Sequence, residues 1–302
     1  MAPLQHHAHG AVGAQRLEEA DALALAAHHY LDVDRHEAAG RTRVGELDAH
    51  IRHVDHLENG GAHRGLVHAD DLVQPAGRVL DIELFGDLVG YAPWPNETVA
   101  EIHRRAIAGV AGNYDSTVAT RYDHCGCKYE DPVQEALSHD SYAWTLANTS
   151  EATRDLLRAL PFRLDLRPHG GHTGGPRLCL VHGTPTRNTV YWTEDRADSF
   201  CLQMAARAGL SAGDVIAFGH THKPWHREVE GVHFVNTGSV GRPKDGDWRA
   251  GYVQLDLSDE VAVEFRRVEY DLDRAVRGIE QSSLPDAFGA YLRSGGGSLT
   301  TE

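Results

Sequence analysis

Residues 217–246 read AFGHTHKPWHREVEGVHFVNTGSVGRPKDG, and this stretch decides how the rest of the chain is interpreted. The apolar run Val215–Phe218 ends at a glycine and is followed at once by His220 and His222. A second apolar run, Val232–Val235, leads into a glycine-containing loop. Short apolar runs that end in such turns are typical of buried strands. The histidine pair is therefore predicted to lie just beyond the end of a strand.

Three more polar side chains follow apolar runs in the same way. Asp87 follows IELFG, Asn113 follows AIAGVAG, and His182 follows LCLV. The carboxyl ends of adjacent strands in layered α/β folds open onto one crevice, so these side chains are expected to converge. Carboxylate, amide and imidazole ligands together suit divalent manganese, iron or zinc, whereas an all-oxygen set suits magnesium or calcium. The sequence predicts a metal site that also includes His220 and His222.

Helical patterns lie between the apolar runs. Such alternation favours an α/β sandwich. The predicted helices are 96–105, 150–160 with Ser150 as N-cap, and 199–208, and residues 271–292 also have helical spacing. The predicted strands are 106–111, 177–181, 215–218 and 232–235.

The composition excludes several classes of protein. The chain has 302 residues, is 41% hydrophobic and carries a formal charge of −15, so nonspecific nucleic-acid binding is not expected. It contains neither a membrane-length apolar segment nor a signal-peptide pattern, which predicts a cytoplasmic protein with no membrane partner. Four cysteines are too few for a disulfide framework. The oligomeric state is not indicated by the sequence.

Residues 1–83 differ from the rest of the chain. Residues 1–80 hold 11 of the 21 histidines and lack Ser, Lys, Phe, Trp and Cys. Two interpretations of this His- and Ala-rich segment stay open: a misread reading frame or wrong start, or a disordered segment. Residues 84–292 are predicted to form the folded domain, and residues 293–302, with a glycine triplet, are predicted to form a flexible tail.

Five motifs, in this order, closely resemble those of the calcineurin-like metallophosphoesterases, and especially the small prokaryotic phosphodiesterases. They are FGDLVGYAPWPNE (85–97), GNYD (112–115), VHGTP (181–185), GHTHKP (219–224) and NTGSVGRPKDG (236–246). The resemblance implies a four-layer α-β-β-α sandwich whose N-terminal strand and helix are missing or replaced here. It also implies hydrolysis of a small phosphoester, in which a hydroxide between two divalent ions attacks phosphorus. Manganese is favoured, with iron, zinc or nickel as alternatives.

The resemblance also implies roles for the predicted ligands. Asp87 would bridge the two ions, and His222 would serve the second one. Asn113, His182 and His220 would complete the first.

Two further residues would belong to the catalytic apparatus. Asp115 would orient its neighbours. Tyr114 occupies the position where many family members carry a histidine that protonates the leaving group. A phenol is a weaker acid than imidazolium, so leaving groups of low pKa would be favoured. The alternative for Tyr114 is that it only packs in the wall of the site.

The chain departs from the family pattern at its beginning. Family members begin with a strand that ends in Asp-x-His-Gly-Asn, and nothing before Asp87 matches this motif in context. Asp34 and His36 are the nearest substitutes, but Asp34 lies 53 residues before Asp87 and follows no convincing strand. Two functions therefore stay open: a two-metal phosphoesterase, and a metal-binding pseudoenzyme that binds phosphoesters or a partner without turnover.

Alternative interpretations stay open for several residues near the motifs. Arg242, Lys244 and Lys223 either contact a phosphate or are ordinary solvated loop charges. The backbone amides of NTGSVG either shape the pocket floor or form a simple tight turn. Cys125 and Cys127 are assigned no role, because paired thiols on a loop are usually structural or incidental.

Overall fold

The computed structural model describes residues 84–129, 131–167, 175–257 and 260–297, together with the backbone of strand segments 30–34, 67–68 and 82–83. Most of residues 1–83, and residues 298–302, lie outside the described residues. The hypotheses of a misread frame or a disordered segment at the N-terminus, and of a flexible tail over residues 293–302, stay predictions. In the described first part of that tail, Gly295 O accepts a hydrogen bond of 2.9 Å from Gly246 N.

The described strands form two mixed sheets. They are β1 (Tyr30–Asp34), β2 (Val67–His68), β3 (Ile82–Leu84), β4 (Ala108–Gly109), β5 (Arg163–Leu166), β6 (Leu178–Val181), β7 (Val215–Phe218), β8 (Trp225–Val229), β9 (Val232–Asn236), β10 (Ala250–Asp256) and β11 (Ala262–Val268). The first sheet has the order β11-β10-β1-β3-β4, and the second has the order β2-β5-β6-β7-β9-β8.

The two sheets pack face to face around an apolar core. Alternation along β6 shows how the sequence achieves this, since successive side chains of a strand point to opposite faces. Leu178 and Leu180 belong to the cluster between the sheets, which also contains Val253 of β10. Cys179 and Val181 belong to a second cluster on the outer face. Every residue of β6 is therefore buried, as its unbroken apolar run predicts.

Helices cover the outer face of each sheet. They are α1 (Pro95–Arg104), α2 (Asn113–Ala119), α3 (Pro132–Asn148), α4 (Glu151–Ala159), α5 (Asp198–Ala208), α6 (Leu272–Glu280) and α7 (Ala287–Arg293). Helix α5 packs on the second sheet through Met204 and Ala205. Val99 of α1 and Leu157 of α4 share a cluster with Leu84 of the first sheet. This arrangement confirms the predicted four-layer α-β-β-α sandwich.

The predicted elements agree with the structure in most of the domain. The strands at β6, β7 and β9 and the helix after Ser150 lie where the sequence predicts them, and Ser150 Oγ accepts a hydrogen bond of 3.2 Å from Thr153 N. The helical spacing of residues 271–292 is interrupted between α6 and α7. Pro285 lies in this interruption, and proline has no amide hydrogen with which to continue a helix. None of the described helices combines the length and apolar character of a membrane span; the cytoplasmic location stays a prediction.

Strand β1 corrects one expectation, because the backbone does form a strand that ends at Asp34. Its pairing with β3 is antiparallel, with Tyr30 opposite Leu84 and Asp32 opposite Ile82. The chain therefore runs away from Asp87 as it approaches Asp34, and Asp34 lies toward the opposite end of the sheet. This backbone direction does not favour Asp34 as a ligand at the same site as Asp87. His36 lies outside the described residues.

Candidate metal centre

Side chains that follow different strands of the two sheets meet around one atom, His182 Nε2. The Asp87 carboxylate oxygen Oδ2 lies 3.3 Å from it. Asn113 Oδ1 and His220 Nδ1 each lie 3.1 Å from it. Adjacent ligands of one ion with metal–ligand bonds near 2.1 Å are separated by about 3 Å. Four of the five sequence-predicted ligands are thus brought to the spacing of ligands that share an ion.

Hydrogen bonds turn two of these donors toward the centre. His182 Nδ1 contacts the carbonyl oxygen of Phe85 and donates its hydrogen to it, so Nε2 carries the lone pair when the ring is neutral. Although burial lowers it, the neighbouring Asp87 carboxylate raises the pKa of His182 overall, and a metal ion at Nε2 would replace that proton. The Asn113 amide group Nδ2 donates to Cys125 O at 3.0 Å and contacts Cys127 Sγ at 3.2 Å. These contacts point Asn113 Oδ1 at the centre. The cysteine loop, which has no assigned role in the sequence, therefore fixes the orientation of a candidate ligand.

The charge state of His220 also suits a ligand. The side chain is buried, and the Tyr191 ring lies 4.3 Å from its imidazole ring, centroid to centroid. Burial, helped by the neighbouring His182, lowers the pKa of His220 to about 3. The imidazole is therefore neutral at physiological pH, as a metal ligand must be.

The backbone at three candidate ligands is left-handed. The φ angle is +56° at Asp87 and +63° at both His220 and His222. Non-glycine residues seldom adopt this conformation, which costs of order 1–3 kcal/mol and is concentrated at functional sites. Gly86, directly before Asp87, also has a positive φ angle of +81°, whereas Gly219, directly before His220, does not.

Asp115 holds the Asp87 loop in place. Its carboxylate accepts hydrogen bonds from three backbone amides, those of Asp87 at 2.7 Å, Leu88 at 2.8 Å and Gly112 at 2.9 Å. Burial, and secondly the Asp87 carboxylate, raise the pKa of Asp115 to about 7. A cation at Asp87 would offset this repulsion between carboxylates, so the donor set and its charge both fit a bound divalent ion.

His222 lies apart from the other candidate ligands. The described His, Cys, Asp and Glu side chains that are close enough together to share an ion are Asp87, His182 and His220. His222 Nδ1 instead donates to Arg242 O at 2.6 Å, and His222 lines the same cavity as Asp87. This placement is compatible with a second ion beside Asp87, for which the described residues offer Asp87 and His222 as candidate ligands.

Asn236 is a supporting residue that the sequence analysis missed. Its amide group Nδ2 donates to Gly219 O at 3.0 Å and to Thr221 Oγ1 at 2.9 Å, so it braces the GHTH turn. Its Oδ1 accepts from Gly238 N at 3.0 Å. Its position as the last residue of a buried strand, directly before the glycine loop, is the signal that could have identified it. Through Asn236, the NTGSVG loop therefore fixes the backbone of the turn that carries His220 and His222.

Tyr114 is enclosed by other aromatic rings. Its ring centroid lies 5.2 Å from that of Tyr91 and 5.5 Å from that of Tyr142, and its hydroxyl lies 3.5 Å from Ser138 O. Burial raises the pKa of Tyr114 well above 10. A higher pKa makes the phenol a poorer proton donor at neutral pH. These contacts favour the role of Tyr114 in the wall of the site, and its catalytic role stays a prediction.

The substitution Tyr114→Phe tests this directly. We expect it to change kcat/KM for alkyl and nitrophenyl phosphodiesters equally, because the ring packing is retained and only a weak hydrogen bond is lost. The expected change is about threefold or less for both substrates, equivalent to roughly 0.5 kcal/mol. A selective loss of activity toward the alkyl ester would show instead that the hydroxyl protonates the leaving group.

A glycine substitution tests how tightly the Asp87 loop is packed. A Cβ atom on Gly112 would lie 2.1 Å from Asp87 Oδ1, whereas one on Gly209, at the end of α5, would meet nothing within 4 Å. We expect Gly112→Ala to lower the free energy of unfolding by about 3 kcal/mol or more, through overpacking. Gly209→Ala should cost about 1 kcal/mol, because φ there is +70°. Equal effects in urea denaturation would contradict the close packing at Gly112.

Comparison with known proteins identifies the family of this chain. The profile of the calcineurin-like phosphoesterase superfamily domain matches residues 34–260. The match spans more than half of the chain, and the chain belongs to the calcineurin-like phosphoesterase superfamily. The family resemblance of the five motifs is thereby confirmed.

Individual relatives share most of the domain. An uncharacterized protein of Methanocaldococcus jannaschii is 27% identical over 224 residues, which cover 68% of this chain and 83% of that protein. A metallophosphoesterase from Sphaerobacter thermophilus has a similar crystal structure, with a TM-score of 0.54, 26% identity, and coverage of 73% of this chain and 90% of that one. A hypothetical protein from Pyrococcus horikoshii shares the fold, with a TM-score of 0.57, 21% identity, and coverage of 71% and 84%.

Proposed function

We propose that this protein is a metal-dependent phosphoesterase that hydrolyses small phosphodiesters or phosphomonoesters, with manganese as the favoured metal. The observation that carries the proposal is the convergence of Asp87, Asn113 and His220 on His182 Nε2 at 3.1–3.3 Å. These four side chains would hold the first ion. Family membership supports the phosphoester as the substrate class.

The centre opens onto a cavity of about 280 Å³, which is large enough for a phosphate group and part of its ester. Bound divalent ions would supply there a water that ionises near neutral pH, and would offset charge on the phosphoryl oxygens. The chain itself contributes positioning. Asp115 holds the Asp87 loop, Asn236 holds the histidine turn, and the Cys125–Cys127 loop orients Asn113. Such fixed geometry avoids reorganisation during the reaction.

A second candidate function rests on the backbone direction of β1. The main chain at Asp34 lies toward the end of the sheet opposite Asp87, so of the ligands predicted from the sequence only Asp87 and His222 remain for a second ion. A chain with one occupied ion site would be a pseudoenzyme that binds phosphoesters or a partner without turnover. The two functions differ in metal stoichiometry and in turnover.

Metal titration together with His222→Ala separates the two functions. For the enzyme, we expect two manganese ions per chain and hydrolysis of bis-p-nitrophenyl phosphate. His222→Ala should then bind one ion and lose about a hundredfold or more in kcat/KM, since one ion contributes several kcal/mol to charge stabilisation. Isothermal titration calorimetry and elemental analysis give the stoichiometry, and nitrophenol release gives the rate.

The half-buried His233, on strand β9, provides a matched control. His233→Ala removes an imidazole that contacts His226 and lies outside the cavity lining, so both stoichiometry and rate should be retained. One ion per wild-type chain and no hydrolysis with any divalent metal would reject the enzyme in favour of the pseudoenzyme.

A further inference from the structure

Arg242 is a buried cation in the wall of the cavity. Only 6% of the residue is exposed. Its guanidinium carbon lies 3.7 Å from the ring centre of Tyr91 and 4.3 Å from that of Tyr291. The backbone is also fixed, because Arg242 N donates to Ser239 Oγ at 2.9 Å. The charged group is therefore held in one place, and the alternative of a solvated loop charge is wrong for this residue.

The guanidinium lacks an anionic partner within the described part of the chain. Its contacts there are the two aromatic faces, and no described carboxylate or carbonyl oxygen accepts a hydrogen bond from it. An arginine is always charged and carries five N–H donors, and aromatic faces replace only part of the lost hydration. A buried charge of this kind is stabilised when an anion binds to it.

The rest of the cavity supports an anionic ligand. Lys244 and Lys128 also line it, together with two carboxylates, Asp87 and Asp131. Burial, and secondly the charge of Arg242, lower the pKa of Lys244 to about 7, so its ammonium group is only partly protonated at neutral pH until an anion binds beside it. The Asp131 carboxylate accepts a hydrogen bond of 2.9 Å from Val133 N at the start of α3, and Asp87 is a candidate metal ligand. Lys223, by contrast, is exposed and is not part of the lining.

We propose that Arg242, assisted by Lys244, forms an anion subsite that binds phosphate oxygens of the substrate beside the candidate metal centre. The identity of the ligand as a phosphoester rests on the proposed function, whereas the subsite itself rests on the buried guanidinium. The planar fork of the guanidinium suits two oxygens of one phosphate. Those oxygens belong either to the reacting phosphoryl group or to a second phosphate of the same substrate.

Binding of inorganic phosphate to the metal-free full-length chain tests the subsite without catalysis. We expect calorimetry at low ionic strength to detect binding to the wild type, and Arg242→Gln to weaken it about tenfold or more, the loss of one strong charged hydrogen bond. Arg266→Gln, on the exposed face of β11 beside Glu264, should bind like the wild type. Absence of binding to the wild type, or unchanged affinity in a folded Arg242→Gln, would overturn the proposal.

Lys244→Gln keeps the test valid if Arg242→Gln does not fold, because it leaves the stacking of Arg242 on the two tyrosines intact. This variant should weaken phosphate binding about threefold or more, and unchanged affinity would contradict the assisting role.

Kinetics then identify which phosphate of the substrate binds at the subsite. A raised KM of Arg242→Gln for both p-nitrophenyl phosphate and p-nitrophenyl diphosphate indicates the reacting group, and an effect on the diphosphate alone indicates a second phosphate. Phosphate binding without hydrolysis by the wild type would reject the proposed function and retain the subsite.

Discussion

Asp87→Asn is expected to abolish metal-dependent hydrolysis almost completely. The Asp87 carboxylate is close to His182 Nε2, at 3.3 Å, and is the side chain that both candidate ions would share. The amide of asparagine can still accept the hydrogen bond that Asp87 Oδ1 receives from Tyr114 N at 2.9 Å, so the fold should persist. Removing the charge should lower kcat/KM about a thousandfold or more, equivalent to about 4 kcal/mol of transition-state stabilisation.

The measurement is kcat/KM for bis-p-nitrophenyl phosphate in manganese, together with the metal content of the purified variant. Asp195→Asn, an exposed aspartate outside the cavity lining, is the matched control and should retain the activity and metal content of the wild type. An Asp87→Asn variant that keeps both full metal content and more than about a tenth of the rate would contradict the assignment of Asp87 as the shared ligand.

Asp115→Ala is expected to lower the stability of the fold strongly. The substitution leaves the backbone amides of Asp87, Leu88 and Gly112 without the acceptor that they share, in a buried region. Each of the three buried donors left without a partner costs about 1–3 kcal/mol, and relief of the repulsion between the Asp115 and Asp87 carboxylates offsets part of this cost. The free energy of unfolding should therefore fall by about 3 kcal/mol. For a domain of this size the corresponding fall in Tm is roughly 6–12 °C.

Thermal denaturation of metal-free protein, followed by circular dichroism, measures this effect separately from any loss of metal. Asp155→Ala is the control, because Asp155 is an exposed helical aspartate paired with Arg158, and exposed pairs contribute less than about 1 kcal/mol. If both variants melt alike, Asp115 does not anchor the Asp87 loop.

The sequence predicts the candidate ligands that directly follow a buried strand. Asp87, Asn113, His182 and His220 each follow a buried run, and the ends of β3, β4, β6 and β7 bring them together. The strand prediction succeeds at β6 and β7 because their apolar runs are unbroken and short. The helix prediction is incomplete, because it omits α3. Several buried positions of α3 are polar, among them Ser138, Ser141 and Thr145, so a search for apolar periodicity does not detect this helix.

Features that depend on distant contacts could not be predicted in this way. The position of Arg242 in a loop predicts a solvent-exposed side chain. In the structure, Tyr291 of α7 packs on the guanidinium group, and Arg242 is buried. The role of Asp115 depends on amides 27 and 28 residues away. The direction of β1, antiparallel to β3 and parallel to β10, is a property of the whole sheet rather than of the five residues of β1.

The central claim is that one divalent ion binds where Asp87, Asn113, His182 and His220 converge. Anomalous X-ray diffraction at the manganese edge, from crystals of the full chain soaked in manganese chloride, tests it most directly. The account predicts an anomalous peak within about 2.3 Å of His182 Nε2 and of the Asp87 carboxylate. A chain whose peaks all lie elsewhere, for example among the 11 histidines of residues 1–80, would contradict the metal centre and the function proposed from it.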